Sequence, residues 1–210
     1  MRKLATILMP FLLVLLVLGC STAELKPPPI NEPSIPANYS TYTREDFFSI
    51  SYPSNWAPAM ASMDELWAET IHEVEGQVGV DIELGDLTMV FNGGLPTLEG
   101  YYPFVNVLAT SAARGSASVE DIVDSASQFD RENSPGYQEL ARIATTVGGR
   151  EAIIIDCVDT VLGDGPWRYL QMVTISGKYT WWVTCGSERT DYQGFERTFD
   201  SIVRSFRSHS

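Results

Sequence analysis

Few side chains in this sequence could carry chemistry. The only histidines are His72 and His209. His72-Glu73 opens like the helix of a zinc protease, but residue 76 is glycine where the second imidazole is needed. Without two imidazoles on one helical face there is no such zinc site. His72 is therefore expected to be a solvated surface residue. A serine nucleophile would have to use His72 as its base, and no Gly-x-Ser-x-Gly elbow is present. No phosphate-binding loop or dinucleotide fingerprint occurs. Carboxylates alone could do acid–base work, but nothing marks a pair. The expectation is a non-catalytic chain that holds no metal and no cofactor.

Charge is more informative. The 210 residues carry a formal net charge of −13, with 44% hydrophobic and 11% aromatic residues. That aromatic content suits a folded domain rather than a disordered chain. Nucleic-acid binding rests on neutralising phosphates, which an acidic chain cannot do, so it is excluded as an expectation. Between Arg44 and Arg114 there is no lysine or arginine, and acids accumulate there. Asp64, Glu65, Glu69, Glu73, Asp81 and Glu83 are the candidate acidic face for a basic protein partner, since a one-sign surface steers the opposite sign. The plainer reading is a solvated, solubilising surface. Calcium needs six to eight converging oxygens, and Asp81-x-Glu83-x-x-Asp86 lacks the loop pattern.

Met1-Arg2-Lys3 precede an apolar run from Leu4 to Gly19, interrupted by Pro10 and followed by Cys20. A spanning helix needs about 20 apolar residues, so this shorter run reads as a signal peptide, residues 1–19. Val17-Leu18-Gly19-Cys20 resembles the lipobox of bacterial lipoproteins, with Leu18 where smaller residues are commoner. The resemblance implies cleavage before Cys20 and acylation of its sulfur, hence a cell-membrane anchor facing the extracytoplasmic side. Each buried methylene adds about 0.8 kcal/mol, so two or three chains hold firmly. Losing Arg2 and Lys3 takes the charge from −13 to −15. Such a domain gains nothing from anionic lipid, which leaves the tethering to the acyl chains. Residues 20–39 form a linker with Pro27, Pro28, Pro29, Pro33 and Pro36, expected as an extended, semi-rigid stalk. Residues 40–210 then form a single domain.

Within that domain, Phe48, Ile50 and Tyr52 alternate with serines and predict a half-buried strand ended by Pro53. Ser62 and Glu65 form a capping box before a helix striped by Met63, Leu66, Trp67, Ile71 and Val74. Residues 78–84 alternate like a strand, and Leu87 to Phe91 could return beside it. Tyr102 to Thr110 predicts another strand, with Pro103 among its first residues. A helix follows over about Ser118–Arg131, its stripe being Val119, Ile122, Val123, Ala126 and Phe129. Four strands come next, near 138–147, 150–159, 166–176 and 179–185, separated by Gly148-Gly149, Gly163-Asp164-Gly165 and Ser176-Gly177. Short turns force antiparallel neighbours. Trp181 and Trp182 then point to opposite faces. A last helix over about Asp191–Arg207 shows Tyr192, Phe195, Phe199, Ile202 and Phe206 on one side. The elements make an α+β domain, a central antiparallel β-sheet flanked by helices.

Cys157 and Cys185 lie in that four-strand run, either as a disulfide or as two buried thiols. Export permits a bridge. A simple meander puts one strand between them, and next-but-one strands are roughly 10 Å apart, beyond disulfide reach.

Phe48-Ser49-Ile50-Ser51-Tyr52-Pro53-x-x-Trp56 resembles the opening strand of PsbP-like domains. Val147-Gly148-Gly149-Arg150-Glu151-Ala152 resembles their central turn, and Phe195 to Phe206 their closing helix. These segments span about residues 45 to 207. The resemblance implies an α/β/α sandwich. The family includes an extrinsic photosystem II subunit, a Ran-binding import factor and bacterial lipoproteins, and its known members mainly bind or help assemble other proteins. Fold alone does not transfer the photosynthetic role. The expected function is a lipid-anchored extracytoplasmic domain that binds or helps assemble a protein partner, with the acidic segment and exposed sheet edges as contact surfaces. A small-ligand or cation-binding lipoprotein is the alternative, and a hydrolytic enzyme the more distant one.

Overall fold

Alternation of apolar and polar residues, punctuated by glycine turns, builds most of this fold. The structure is a computed structural model that describes residues 35–44, 46–58, 87–97, 100–111, 117–134, 136–160 and 166–209. All belong to the unit Asn31–Ser210. The strands are β1 (Tyr39–Arg44), β2 (Phe48–Pro53), β3 (Ala57–Pro58), β4 (Leu87–Thr97), β5 (Gly100–Ser111), β6 (Gln138–Val147), β7 (Arg150–Asp159), β8 (Trp167–Ser176), β9 (Tyr179–Glu188) and β10 (Arg207–Ser208). The helices among the described residues are α1 (Val119–Asn133) and α2 (Tyr192–Ser205).

Seven strands form one antiparallel sheet in the order β3-β4-β5-β9-β8-β7-β6, and β1-β2-β10 form a second. The β6–β9 run is the predicted meander, because its turns are too short for any other connection. Gly148 and Gly149 both take positive φ, 57° and 76°. Two such residues make the type I′ turn that matches strand twist. The chain leaves β5 at the middle of the sheet, crosses one face as α1, and re-enters at the far edge as β6.

Two cores result. Val119 and Val123 of α1 pack on Ile153, Ile155, Cys157 and Val173. The opposite face carries the larger core, where Phe199, Ile202 and Val203 of α2 and Phe48 and Ile50 of β2 meet Val105, Val107, Met172, Trp181, Val183 and Cys185. Phe48, Trp181 and Phe206 touch one another at ring separations of 5.2–6.1 Å. Each fully buried ring contributes roughly 2–3 kcal/mol. Trp182 lies against the α1 side, so the two tryptophans do face opposite ways.

Several elements differ in detail from expectation. Phe129 is 52% exposed, because α1 turns Val119, Val123 and Ser127 inward instead. The last helix stops at Ser205, and Arg207–Ser208 pair with β2. Pro103 is the fourth residue of β5, beside the register shift between Gly94 and Pro96 and just before pairing with β9 begins. Leu87 to Phe91 is a strand, but within β4 it runs on to Thr97. The predicted helix near residues 62–75 and the strand over 78–84 lie outside the described residues.

Candidate functional site

The site is built where α2 stops short of the sheet edge. α2 packs most closely on β2 of the small sheet and then on β9 and β8 of the large one, and touches β6 little. A groove of about 580 Å³ opens between the helix and the β6–β7–β8 side of the sheet. Its floor is apolar: Ala141 and Ile143 of β6, Ile154 of β7 and Leu170 of β8. Ile154 is buried, whereas Ile143, at the outer rim, is 52% exposed. The wall is polar, from Glu196, Arg197, Asp200, Ser201 and Arg204 of α2.

Register brings its central charge pair together. Asp156 faces Leu170 and Val158 faces Arg168 across β7 and β8, so Asp156 and Arg168 are diagonal neighbours on one face. The guanidinium donates Nε–H to Asp156 Oδ1 at 2.8 Å and Nη2–H to Oδ2 at 2.6 Å. It also lies 4.2 Å from the centre of the Tyr192 ring, which supplies a cation–π contact. The bond to Asp156 raises the Arg168 pKa further, so the charge is permanent. Burial, then the charge of Asp156, raises the Tyr192 phenol, which stays protonated. On the wall, Arg204 Nε–H donates to Asp200 Oδ1 at 2.7 Å. Asp156 and Asp200 are thus each paired with a guanidinium. This suits recognition of polar groups around an apolar floor.

A second polar cluster fixes the other face of β6. Arg142 donates to both Glu139 oxygens, to Asp124 of α1 and to Ser127 Oγ. These bonds tie α1 to the edge strand. Leu140, the extra residue at a register shift between Glu139 and Ala141, is left exposed.

The predicted site residues distribute as follows. Cys157 and Cys185 are free and buried, so of the two arrangements open in the sequence the structure has the unbridged one. Strand β8 intervenes, and the thiols belong to opposite cores. Burial, and then Asp130, push Cys157 up to about 12, and burial raises Cys185 as well, so neither is a thiolate near neutrality. Cys20, His72, Asp64, Glu65, Glu69, Glu73, Asp81 and Glu83 lie outside the described residues. Among the described residues no group of three His, Cys, Asp or Glu could hold a metal ion.

Sequence reasoning missed the groove. Asp156, a charge between the apolar run Ile153-Ile154-Ile155 and Cys157-Val158, was its one visible sign.

No protein-family model matches the chain, and no curated protein matches it. Solved structures are similar in fold. The cyanobacterial PsbP (CyanoP) of Synechocystis sp. PCC 6803 matches with a TM-score of 0.52 at 13% identity, over 82% of this chain and 93% of its own. A protein of unknown function from Pseudomonas aeruginosa matches with 0.47 at 12% identity, over 80% and 95%. LpqN of Mycobacterium tuberculosis, involved in cell envelope biogenesis, matches with 0.43 at 11% identity, over 81% and 84%. The first likeness supports the PsbP-like fold and carries no function with it.

Proposed function

We propose that this chain is a lipid-anchored extracytoplasmic protein whose domain binds a protein partner at the membrane surface, without catalysis of its own. The observation that carries the binding half is the groove beside α2. It combines an apolar floor with the paired Asp156 and Asp200 and the further charges of Glu196 and Arg197, and its rim opens onto a sheet edge. Neither thiol is poised to attack, and Tyr192 is held as a phenol. The anchoring half rests on the Val17-Leu18-Gly19-Cys20 sequence and the proline-rich linker behind it. No helix among the described residues is long and apolar enough to cross a membrane. The acidic stretch from Glu45 to Glu99 would steer a basic partner towards the tethered domain.

A small ligand is the second reading, because about 580 Å³ falls within the usual range of ligand sites. The open rim at Ile143 favours a macromolecule over an enclosed small molecule.

The test is to crosslink native membranes and identify what copurifies, with Cys20→Ala as the untethered control. The proposal expects the wild-type protein in the membrane fraction with one stoichiometric partner. The control should be released from the membrane, with that partner weakened or lost. An abundant, folded, membrane-bound protein with no partner would defeat the binding half. Unchanged membrane retention of Cys20→Ala would defeat the anchoring half.

A further inference from the structure

We infer that β6 is an open strand-docking edge, taken by an extended, basic segment of a partner protein that adds an eighth strand to the sheet. This rests on the protein-binding reading above and deepens it by naming how the partner enters.

Among the described strands, β6 pairs only with β7. Its backbone orientation follows from the turn. In a two-residue type I′ hairpin the closing pair, here Val147 and Arg150, exchanges both backbone hydrogen bonds. Alternation then points the backbone groups of Val147, Thr145 and Ile143 at β7. Those of Thr146, Ala144 and Arg142 point away from it, ready to pair with another strand. Proteins usually blunt such edges with prolines, bulges or inward charges. The stretch Ala141–Val147 has no proline, and its register with β7 is unbroken; the bulge lies before it at Leu140. Among the described residues the edge is therefore left open over Ala141 to Val147.

The side chains agree with the backbone. Alternate residues of an added strand would lie beside Ala141 and Ile143, over the mouth of the groove. Small or β-branched apolar side chains suit that place, because the exposed face of Ile143 gains cover there. Two other occupants are disfavoured. A second copy of this chain would bring together two molecules each carrying −13. The chain's own linker holds five prolines between residues 27 and 36, which lack the N–H groups a strand must donate. The same negative charge favours a basic segment.

The test uses the full-length protein and a short capped peptide that alternates valine and lysine. Amide hydrogen exchange should slow by about tenfold or more at Arg142, Ala144 and Thr146 when the peptide is added. Two further peptides carry N-methyl groups on either the valines or the lysines. One should lose binding and the other keep it, since only alternate N–H groups face the edge. Ala144→Pro removes an outward N–H while leaving the β6–β7 ladder intact, so it should weaken the peptide by about tenfold without raising exchange in β7.

Peptide binding without protection of these three amides overturns the inference, as does equal binding of both methylated peptides. Protection that appears with protein concentration alone overturns the choice of partner in favour of a second copy. If the partner found by membrane crosslinking is retained undiminished by Ala144→Pro, this edge is not its site while the protein-binding reading stands. If wild-type membranes yield no partner, both fail.

Discussion

At the residue scale, burial decides which groups are reactive and which are structural. Burial, then the charge of Asp159, push the Asp130 carboxyl up to about 6. An unfolded aspartate titrates near 4. The folded state therefore prefers the protonated acid, and stability falls as pH rises from about 4 to about 6. Above that window the full cost of ionisation is present. Asp130→Asn should raise stability by about 1–2 kcal/mol near pH 7.5, allowing for solvent screening, and by almost nothing near pH 4. Urea unfolding at the two pH values reads this directly, and a variant less stable near pH 7.5 would refute it. Gly186 makes the opposite kind of demand. A Cβ there would stand 2.7 Å from Tyr169 Cδ1 and 2.8 Å from Phe104 Cζ. Those rings pack with Trp167 across the glycine. Gly186→Ala should cost about 1–3 kcal/mol through overpacking, read as a lowered thermal midpoint. Neither residue stood out in the sequence. Asp130 looks like any acid on a helix, and Gly186 like a turn after Cys185, until the register sets rings against it.

At the element scale, legibility followed the range of the interactions. Strands β6 to β9 were readable because each is specified by its own alternation and by the turn beside it. Their bounds shift by no more than three residues, the largest being β9, which continues through Gly186-Ser187-Glu188. The small sheet was only partly readable. β2 showed its alternation, but β1 buries residues in no strict period of two and β10 is two residues long. Both are defined by partners on β2, and β10 reaches it across most of the chain. Ser205 shows how that long-range docking is held. Its hydroxyl accepts the Ser51 N–H at 2.8 Å and lies 2.7 Å from Ile202 O, the nearer of two carbonyls it can donate to. It replaces a strand neighbour at the end of the β10 pairing. Ser205→Ala should cost about 1–3 kcal/mol, since it leaves a buried donor without a partner. A change in denaturant midpoint below a few tenths of a kcal/mol would show that α2 does not need this bond. The candidate groove was illegible for the same reason as β10. Asp156 and Arg168 are 12 positions apart and meet only through the exact β7–β8 register.

At the scale of the whole molecule, the sequence is acidic, with a net charge of −13, and five prolines lie between residues 27 and 36 behind Cys20. An acidic chain gains no attraction to anionic lipid, so under the proposed function its steering acts on a basic partner instead. Partner capture should then weaken as salt rises, because steering between net charges is screened beyond about 8–10 Å. The most direct measurement is the size of the species released from native membranes by mild detergent, read by native electrophoresis with the partner identified by mass. The account predicts one discrete complex larger than the chain itself, with a second protein in fixed ratio. A band containing only this chain as a monomer, intact and folded, would contradict it.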